Sequence, residues 1–409
     1  MLRLAAVPYG WIVVATLCVT ETVSWGIVYY GFPVFLRPME QELGASRVAI
    51  TGAFSLGLGV AALAAMPVGR WLDRHGPRAL MTAGSVLATL LMFAWARVES
   101  LPALYAVWFG LGVSMAAILY EPAFVAVVQW FAQGRDRALL TLTLAAGLAS
   151  TIFMPIEAWL LERLGWRATL DTLAIFLGVI TIPLHAIALR PAPRPATTSA
   201  SGAPVAAIPG LTLRGASRTV IFWVLAFAFF VGNFATVSVT VHLIPYLTDR
   251  GYSAAIAAAA IGWMGAMQLP GRVFFVPIAR WLGPRWVTAG VFFGQALGVF
   301  VVTLTWLAGL APIVVILGAS NGMSTLARAT VVAEVFGRRH YGSVSGALAL
   351  GANGARAIGP VGASLLVLAL GSYDTLFWAF AASLGVVGLL VLATDSSARA
   401  ESRPAPDRG

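Results

Sequence analysis

The chain has 409 residues, of which 59% are hydrophobic and only 10% charged; soluble globular domains carry roughly 25% charged residues, so a water-soluble fold is excluded and lipid is the expected surrounding. The formal charge of +10 comes without a single lysine, which rules out a Walker-type phosphate loop and Schiff-base chemistry; ATP is not the expected fuel, and no cofactor is expected. The one cysteine, Cys18, excludes an internal disulfide and a cysteine metal cluster, and it reads as core packing.

About 20 apolar residues cross the hydrocarbon, and twelve such runs follow one another. The first, Tyr9 to Phe35, contains Glu21 and Tyr30; it is too long for a cleaved signal and is expected to be its own insertion signal. The second, Ala49 to Trp71, leads into a basic hairpin, Pro67-Val-Gly-Arg-Trp-Leu-Asp-Arg-His-Gly-Pro-Arg78. The third is Ala79 to Trp95, and the fourth, Leu104 to Val128, encloses Glu121. The fifth, Ala138 to Leu161, carries Glu157 near its outer end, where it is expected to reach the interface. The sixth, Thr169 to Ala188, has His185 near its inner end, read as interfacial structure. Arg190 to Arg218, rich in Pro, Ala, Ser and Thr, cannot form a core and reads as a linker.

The seventh run is Val220 to Leu247. The eighth, Ala254 to Ile278, holds Gln268 and Arg272 and ends in a shortened copy of the hairpin, Pro277-Ile-Ala-Arg-Trp-Leu-Gly-Pro-Arg285. Then come Val287 to Leu307, Ala311 to Val335 with Arg328, Gly342 to Leu370 with Arg356, and Tyr373 to Leu392. The expected fold is an all-α integral membrane protein, twelve transmembrane helices in two pseudo-symmetric six-helix bundles. Residues 1–189 and 219–395 form the bundles, 190–218 a cytoplasmic linker and 396–409 a cytoplasmic tail.

The repeat extends beyond the hairpin. Trp11, Glu21, Tyr30 and Pro33 match Trp223, Asn233, His242 and Pro245 at one constant offset, and Gly76, Pro77, Arg78, Glu121 and Gly147 match Gly283, Pro284, Arg285, Arg328 and Gly354. With the amino terminus inside, the inner loops hold Arg70, Arg74, Arg78, Arg135, Arg137, Arg190, Arg194, Arg214, Arg218, Arg280, Arg285, Arg338 and Arg339. The outer loops hold only Arg37, Arg47, Arg97, Arg163, Arg167 and Arg250. This positive-inside bias predicts both termini in the cytoplasm, at the inner (plasma) membrane, and it explains the basic charge without nucleic acid.

A charged group in mid-span costs roughly 2.5 to 3.5 kcal/mol on insertion scales, so its survival points to function. Two acids, Glu21 and Glu121, lie in the first half, and three bases, Arg272, Arg328 and Arg356, in the second. A guanidinium pairs with a carboxylate through parallel hydrogen bonds and keeps its charge when desolvated. Arg272, Arg356 and Arg328 are therefore candidate ligands for an organic anion, with Gln268 and Tyr30 beside them. Glu121 and Arg328 occupy equivalent positions, and a structural or gating salt bridge is the alternative for that pair. Glu21 and Glu121 are candidates for proton coupling, because desolvation makes a carboxyl group exchange its proton under conditions where an exposed one stays ionised. Tyr29, Asn233, His242, Trp263, Asn321 and Asn353 could line a cavity or merely join helices. The four histidines show no metal-ligand spacing, and neither a metal site nor an enzyme is expected.

The hairpin residues Gly69, Asp73, Arg74, Gly76 and Arg78 resemble the Gly-x-x-x-Asp-Arg-x-Gly-x-Arg/Lys signature of the major facilitator superfamily. That resemblance implies a secondary transporter working by alternating access, functional as a monomer, with the hairpin as a conformational latch. Asp73 would face the positive end of the eleventh span, which begins near Gly342. Trp130-Phe131, Arg135-Asp136-Arg137-Ala138-Leu139, Gly147 and Gly165-Trp166-Arg167 are similar to the monocarboxylate transporters and the oxalate/formate antiporters. Gln268-x-x-x-Arg272 resembles the Asp-x-x-x-Arg of proton-linked lactate carriers, with glutamine in place of the aspartate, and Arg356 stands where the oxalate/formate type has lysine. The drug-antiporter pattern is absent from the fifth span, which reads Pro155-Ile156-Glu157. The resemblance implies a carrier of mono- or dicarboxylates using proton symport or exchange for a counter-anion. Proton-driven efflux of cationic or neutral solutes and a transporter-like solute sensor are the competing readings.

Overall fold

The computed structural model describes residues 9–131, 133–190, 192, 210–304 and 309–394. The expected tail 396–409, residues 191 and 193–209 of the expected linker, residues 1–8, 132 and 395 of the expected bundles and residues 305–307 of the ninth run lie outside the described residues. Where they are described, all twelve apolar runs lie mainly on helical segments, the helix of the ninth ending at Val302, and the one isolated extended pairing among the described residues is a bridge between Gly210 and Gly337. Helices satisfy their backbone groups internally, which hydrocarbon demands.

Among the described residues, eight helical stretches can cross a membrane by length and composition, or nine if the bent pair Tyr341–Gly359 and Val361–Leu370 is one span. One of the eight, Arg135–Ala188, has 54 residues, more than twice the ~20 that a crossing needs, and Gly165 breaks it with φ 75° and ψ 167°. Two helices of crossing length stand outside that set, Ala254–Leu282 and Ala311–Val335. They carry Gln268 with Arg272, and Asn321 with Arg328. The chain divides into two compact units: Met1–Pro209 with Arg338–Gly346, and Gly210–Gly337 with Ala347–Gly409.

In the first unit, α1 (Tyr9–Ser24) passes through a π-helical turn, Trp25–Tyr30, into α2 (Gly31–Leu43). Ser46 caps α3 (Arg47–His75), its hydroxyl accepting from the Ala49 N–H at 3.3 Å. Gly76, with φ 75°, ends α3, and Pro77 opens α4 (Pro77–Trp95); this glycine-then-proline order stops one helix and starts the next. The fourth run is split into α5 (Leu101–Ile118) and α6 (Tyr120–Trp130), which meet at the extended Leu119. Pro122 explains the break: it has no N–H to offer the Ile118 carbonyl, and its ring collides with that carbonyl in a continuous helix. Then follow α7 (Arg135–Gly147), α8 (Ala149–Pro183) and a second π turn, Leu184–Ala188.

The core of this unit is aromatic. Trp95 and Trp108 are fully buried with ring centroids 5.0 Å apart, edge to face, and Phe32 stacks on Phe54 at 4.7 Å; each such pair adds about 0.5 to 1.5 kcal/mol beyond its buried area. The Gly-Trp-Arg stretch ties helix ends together. Gly165 breaks α8, the Trp166 indole donates to Glu42, and Arg167 donates to Glu42 at 2.7 Å and to the carbonyls of Ala96 and Val98 at 2.6 and 2.8 Å.

In the second unit, a short α9 (Leu213–Ala216) precedes α10 (Val220–Thr248), which runs without a π turn. Next come α11 (Ala254–Leu282), capped by Ser253, and α12 (Pro284–Val302), which starts after Gly283 at φ 83°. Then follow α13 (Ala311–Val335), α14 (Tyr341–Leu370) and α15 (Tyr373–Ala393). The halves of α14 on either side of Pro360 meet at 62°. Small residues let α11 and α13 touch backbone to backbone: a Cβ on Gly271 would meet the Ala319 carbonyl, and one on Gly322 the Gln268 carbonyl. Asp374 takes hydrogen bonds from Arg250 at 2.6 Å and from the Tyr246 hydroxyl at 2.7 Å, joining the ends of α10 and α15.

Candidate functional site

In the first unit three of the candidates are linked through one tryptophan. Glu21 is completely buried; its Oε2 accepts from Trp25 Nε1 at 3.0 Å, and its Oε1 has no hydrogen-bond partner among the described residues. Trp25 is the first residue of the π turn, and its ring contacts Tyr29 at 4.9 Å, Tyr30 at 6.2 Å and Tyr120 at 4.9 Å. Tyr120 is the neighbour of Glu121, which occupies the first turn of α6 directly after the Leu119 break. Open N–H groups and the positive dipole end make a helix start favourable for a carboxylate. Glu121 Oε2 also accepts from Ser345 Oγ at 3.0 Å.

The segment Arg338–Gly346 belongs to this same unit, and further contacts hold it there. Asp73 Oδ1 accepts from the Gly342 N–H at 2.8 Å and Oδ2 from the Ser343 N–H at 2.7 Å, in the first turn of α14. A carboxylate on two open N–H groups at a helix start is a charge–dipole contact of roughly 0.3 to 1 kcal/mol. Gly69 permits the approach, because a Cβ there would run into the Gly342 carbonyl. The opposite arrangement lies nearby: Arg338 donates to the carbonyls of Val128 and Gln129 at 2.9 and 3.0 Å, at the carboxyl end of α6. Of the other hairpin residues, Gly76 makes the turn at φ 75°, and Arg74 and Arg78 are exposed.

In the second unit the candidates rest on amide side chains. Arg272 is 6% exposed and donates from Nη2 to Gln268 Oε1 at 3.3 Å, one helical turn away on α11. Arg356, exposed on α14, donates from Nε to Asn233 Oδ1 at 2.7 Å, and Asn233 is fixed in turn by its Nδ2 bond to the Phe229 carbonyl at 2.7 Å. Asn321 Oδ1 receives Thr236 Oγ1 at 3.1 Å and Gln295 Nε2 at 3.0 Å, joining α10, α12 and α13. Arg328 is half-buried, seven residues further along α13 and so on the same helix face as Asn321. A neutral amide oxygen orients a guanidinium without cancelling its charge.

Two sequence expectations change. Glu157 is 0% exposed and does not reach the interface: it packs on Gly31, where the chain leaves the π turn. His185 is not an interfacial group but fully buried, its Nδ1 2.8 Å from the Ser85 hydroxyl. Trp263 is 63% exposed. His242 sits with Nδ1 3.2 Å from the Tyr373 hydroxyl and Nε2 3.4 Å from the Ser364 hydroxyl.

Sequence reasoning missed Trp25, Ser345 and Arg338. Trp25 was within reach, since a donor four residues after a buried acid lies on the same helix face. Ser345 stands 224 residues from Glu121, and nothing in their spacing links them. Among the described residues no cluster of three His, Cys, Asp or Glu could hold a metal ion.

Comparison with known proteins places this geometry in context. Residues 17–360 match the model of the Major Facilitator Superfamily. Monocarboxylate transporter 13 of Rattus norvegicus is 27% identical over 281 residues, 67% of this chain and 61% of that protein. The oxalate:formate antiporter of Oxalobacter formigenes is 26% identical over 267 residues, 65% of this chain and 62% of that protein. The chain thus spans about three fifths of the length of these relatives. In fold it is similar to the E. coli fucose:proton symporter FucP, with a TM-score of 0.71 at 15% identity, over 97% of this chain and 100% of that one.

Proposed function

Because the chain belongs to the Major Facilitator Superfamily, we propose that it is a secondary transporter of small organic anions, mono- or dicarboxylates, working by alternating access. The observation that carries this reading is the pair of mid-helix arginines in the second unit, Arg272 and Arg356, each donating to an amide oxygen of that unit. A guanidinium already oriented by a neutral acceptor loses little freedom when it takes up a carboxylate. The names of the two relatives, a monocarboxylate transporter and an oxalate:formate antiporter, agree with that charge class.

The carboxyls of the first unit supply the coupling. Protonated, Glu21 and Glu121 leave the pathway more positive and receptive to an anion; ionised, they compete for the arginines, so proton and anion move together. Where they stay protonated throughout, the same site exchanges one anion for another. Arg328 and Gln268 assist anion binding, and Tyr30 forms part of the aromatic wall around Trp25. Asp73, with Gly69, Arg74, Gly76 and Arg78, acts as the latch that holds one state, releasing the first turn of α14 when the carrier turns over. The carrier works as a monomer in the inner (plasma) membrane with both termini cytoplasmic. Its bundles are residues 1–189 and 219–395, its linker 190–218 and its tail 396–409.

The test is uptake of a panel of radiolabelled carboxylates into proteoliposomes, wild type beside Arg272→Gln, with and without an inward proton gradient. Uptake by the wild type that is lost in the variant supports anion transport, and its response to the gradient separates symport from exchange. Absence of carboxylate uptake under every gradient, with transport of lipophilic cations instead, sinks the proposal.

A further inference from the structure

Glu157 has no part in the transport scheme above, and no residue of the second unit corresponds to it among the matched pairs. It lies on α8 eight residues before Gly165, about 12 Å along the helix axis. It is 0% exposed, and neither carboxyl oxygen has a hydrogen-bond partner among the described residues. The wall opposite is the first span where it leaves its π turn: a Cβ on Gly31 would stand 3.0 Å from Glu157 Oε1, and Phe153, one turn earlier on α8, fills the space over Gly26.

We propose that Glu157 is a second proton-binding site of the first unit, separate from Glu21, and that the π turn Trp25–Tyr30 controls access to it. An ionised carboxylate buried without hydrogen-bond donors costs several kcal/mol. A bound proton removes that cost. A metal ion would need further oxygen or nitrogen ligands, and no set of three such side chains exists among the described residues.

The segments packed on α8 bring few rivals. Tyr9, Cys18 and Glu21 on α1, Tyr29 and Tyr30 on the π turn, Arg37, Glu40 and Glu42 on α2 and His185 on the second π turn are their titratable groups, and none is hydrogen-bonded to Glu157. The charges of α4 and α7 lie in their first turns, at Arg78 and at Arg135, Asp136 and Arg137.

The π turn supplies the gate. Closing hydrogen bonds from i to i+5 brings residues five apart onto one side, so Gly26 and Gly31 together face Phe153 and Glu157, which are four apart on α8. Return of this turn to ordinary α-helix rotates Gly31 away, opens the space over the carboxyl and lets its proton leave. The proposal deepens the proton-coupled reading of the first unit but needs no assumption about which anion is carried.

The test is infrared spectroscopy of the full chain in lipid at neutral pH, comparing wild type with Glu157→Gln and Glu21→Gln. A carboxylic-acid carbonyl band present in wild type and in Glu21→Gln but lost in Glu157→Gln is the expected result. Identical spectra of wild type and Glu157→Gln in that region overturn the proposal. Wild type alone provides a second readout that no folding defect can confuse. Dicyclohexylcarbodiimide, which attacks protonated carboxyls in apolar surroundings, is expected to modify Glu157 at neutral pH while sparing Glu42 and Asp171; modification confined to exposed carboxyls overturns it. Neither readout requires transport, so failure of the anion-carrier reading would leave this result standing, and the reverse.

Discussion

The first span and its counterpart, the seventh, share Trp11 with Trp223 and Pro33 with Pro245 at one offset, yet they fold differently. The first is interrupted by the π turn Trp25–Tyr30, whereas the seventh is one continuous helix, Val220–Thr248. The fourth and tenth spans repeat the contrast: Pro122 splits the fourth at Leu119, and Ala311–Val335 is unbroken. Chemistry diverges with geometry. At matched positions Glu21 is a buried acid held by an indole N–H, while Asn233 is a neutral acceptor that holds Arg356. The lesson is a division of labour between these matched spans: interrupted helices and carboxyls in the first copy, continuous helices and arginines in the second, where amide oxygens seat Arg272 and Arg356.

That division can be broken most sharply at Arg272. Arg272→Gln removes a charged hydrogen-bonding group worth roughly 1.5 to 3 kcal/mol per bond, so carboxylate uptake efficiency should fall about 100-fold or more, measured as kcat/KM in proteoliposomes. Retained efficiency would move anion binding out of the second unit. Glu21→Gln should abolish proton-driven accumulation while leaving counterflow of labelled against unlabelled substrate near the wild-type rate. If substrate binding disappears instead, the first unit supplies a ligand and the division fails.

Pro122→Ala sharpens the comparison between the fourth and tenth spans. Removing a proline that costs about 3 kcal/mol in a helix interior should let α5 and α6 join, raising the thermal midpoint while turnover drops several-fold. Unchanged turnover would make the break at Leu119 incidental. The smallest effect belongs to Asp73→Asn, which weakens a contact of roughly 0.3 to 1 kcal/mol. It should shift the equilibrium between carrier states by no more than about fivefold, read from the alkylation rates of cysteines introduced on either side.

Much of the architecture was readable from the chain, because crossing hydrocarbon imposes a minimum apolar length and the hairpins at Pro67 and Pro277 expose the duplication. The break at Leu119 was passed over, although Pro122 marks a place where a helix can break; a proline alone does not decide it, since Pro67, Pro245 and Pro270 lie inside continuous helices. The π turn carries no such mark: Trp25 to Tyr30 contains neither proline nor an unusual composition, and only the fit of Gly26 and Gly31 to α8 reveals it. Position along a span misled the reading of Glu157, because burial depends on which face a helix turns to its neighbour rather than on distance from the span's end. Asp73 lay in a visible motif, but its companions Arg338 and Ser345 act across long stretches of sequence on groups without a local signature, a helix carboxyl end and the Glu121 carboxyl.

The most direct measurement is equilibrium binding by calorimetry on the purified carrier, comparing each small carboxylate with its carboxamide, which keeps the shape and loses the charge. Carboxylates should bind at least about tenfold tighter than their amides, a difference of roughly 1.4 kcal/mol, and Arg272→Gln should erase that preference. Equal affinity for acid and amide, or binding of lipophilic cations alone, would contradict an anion site built on the arginines of the second unit.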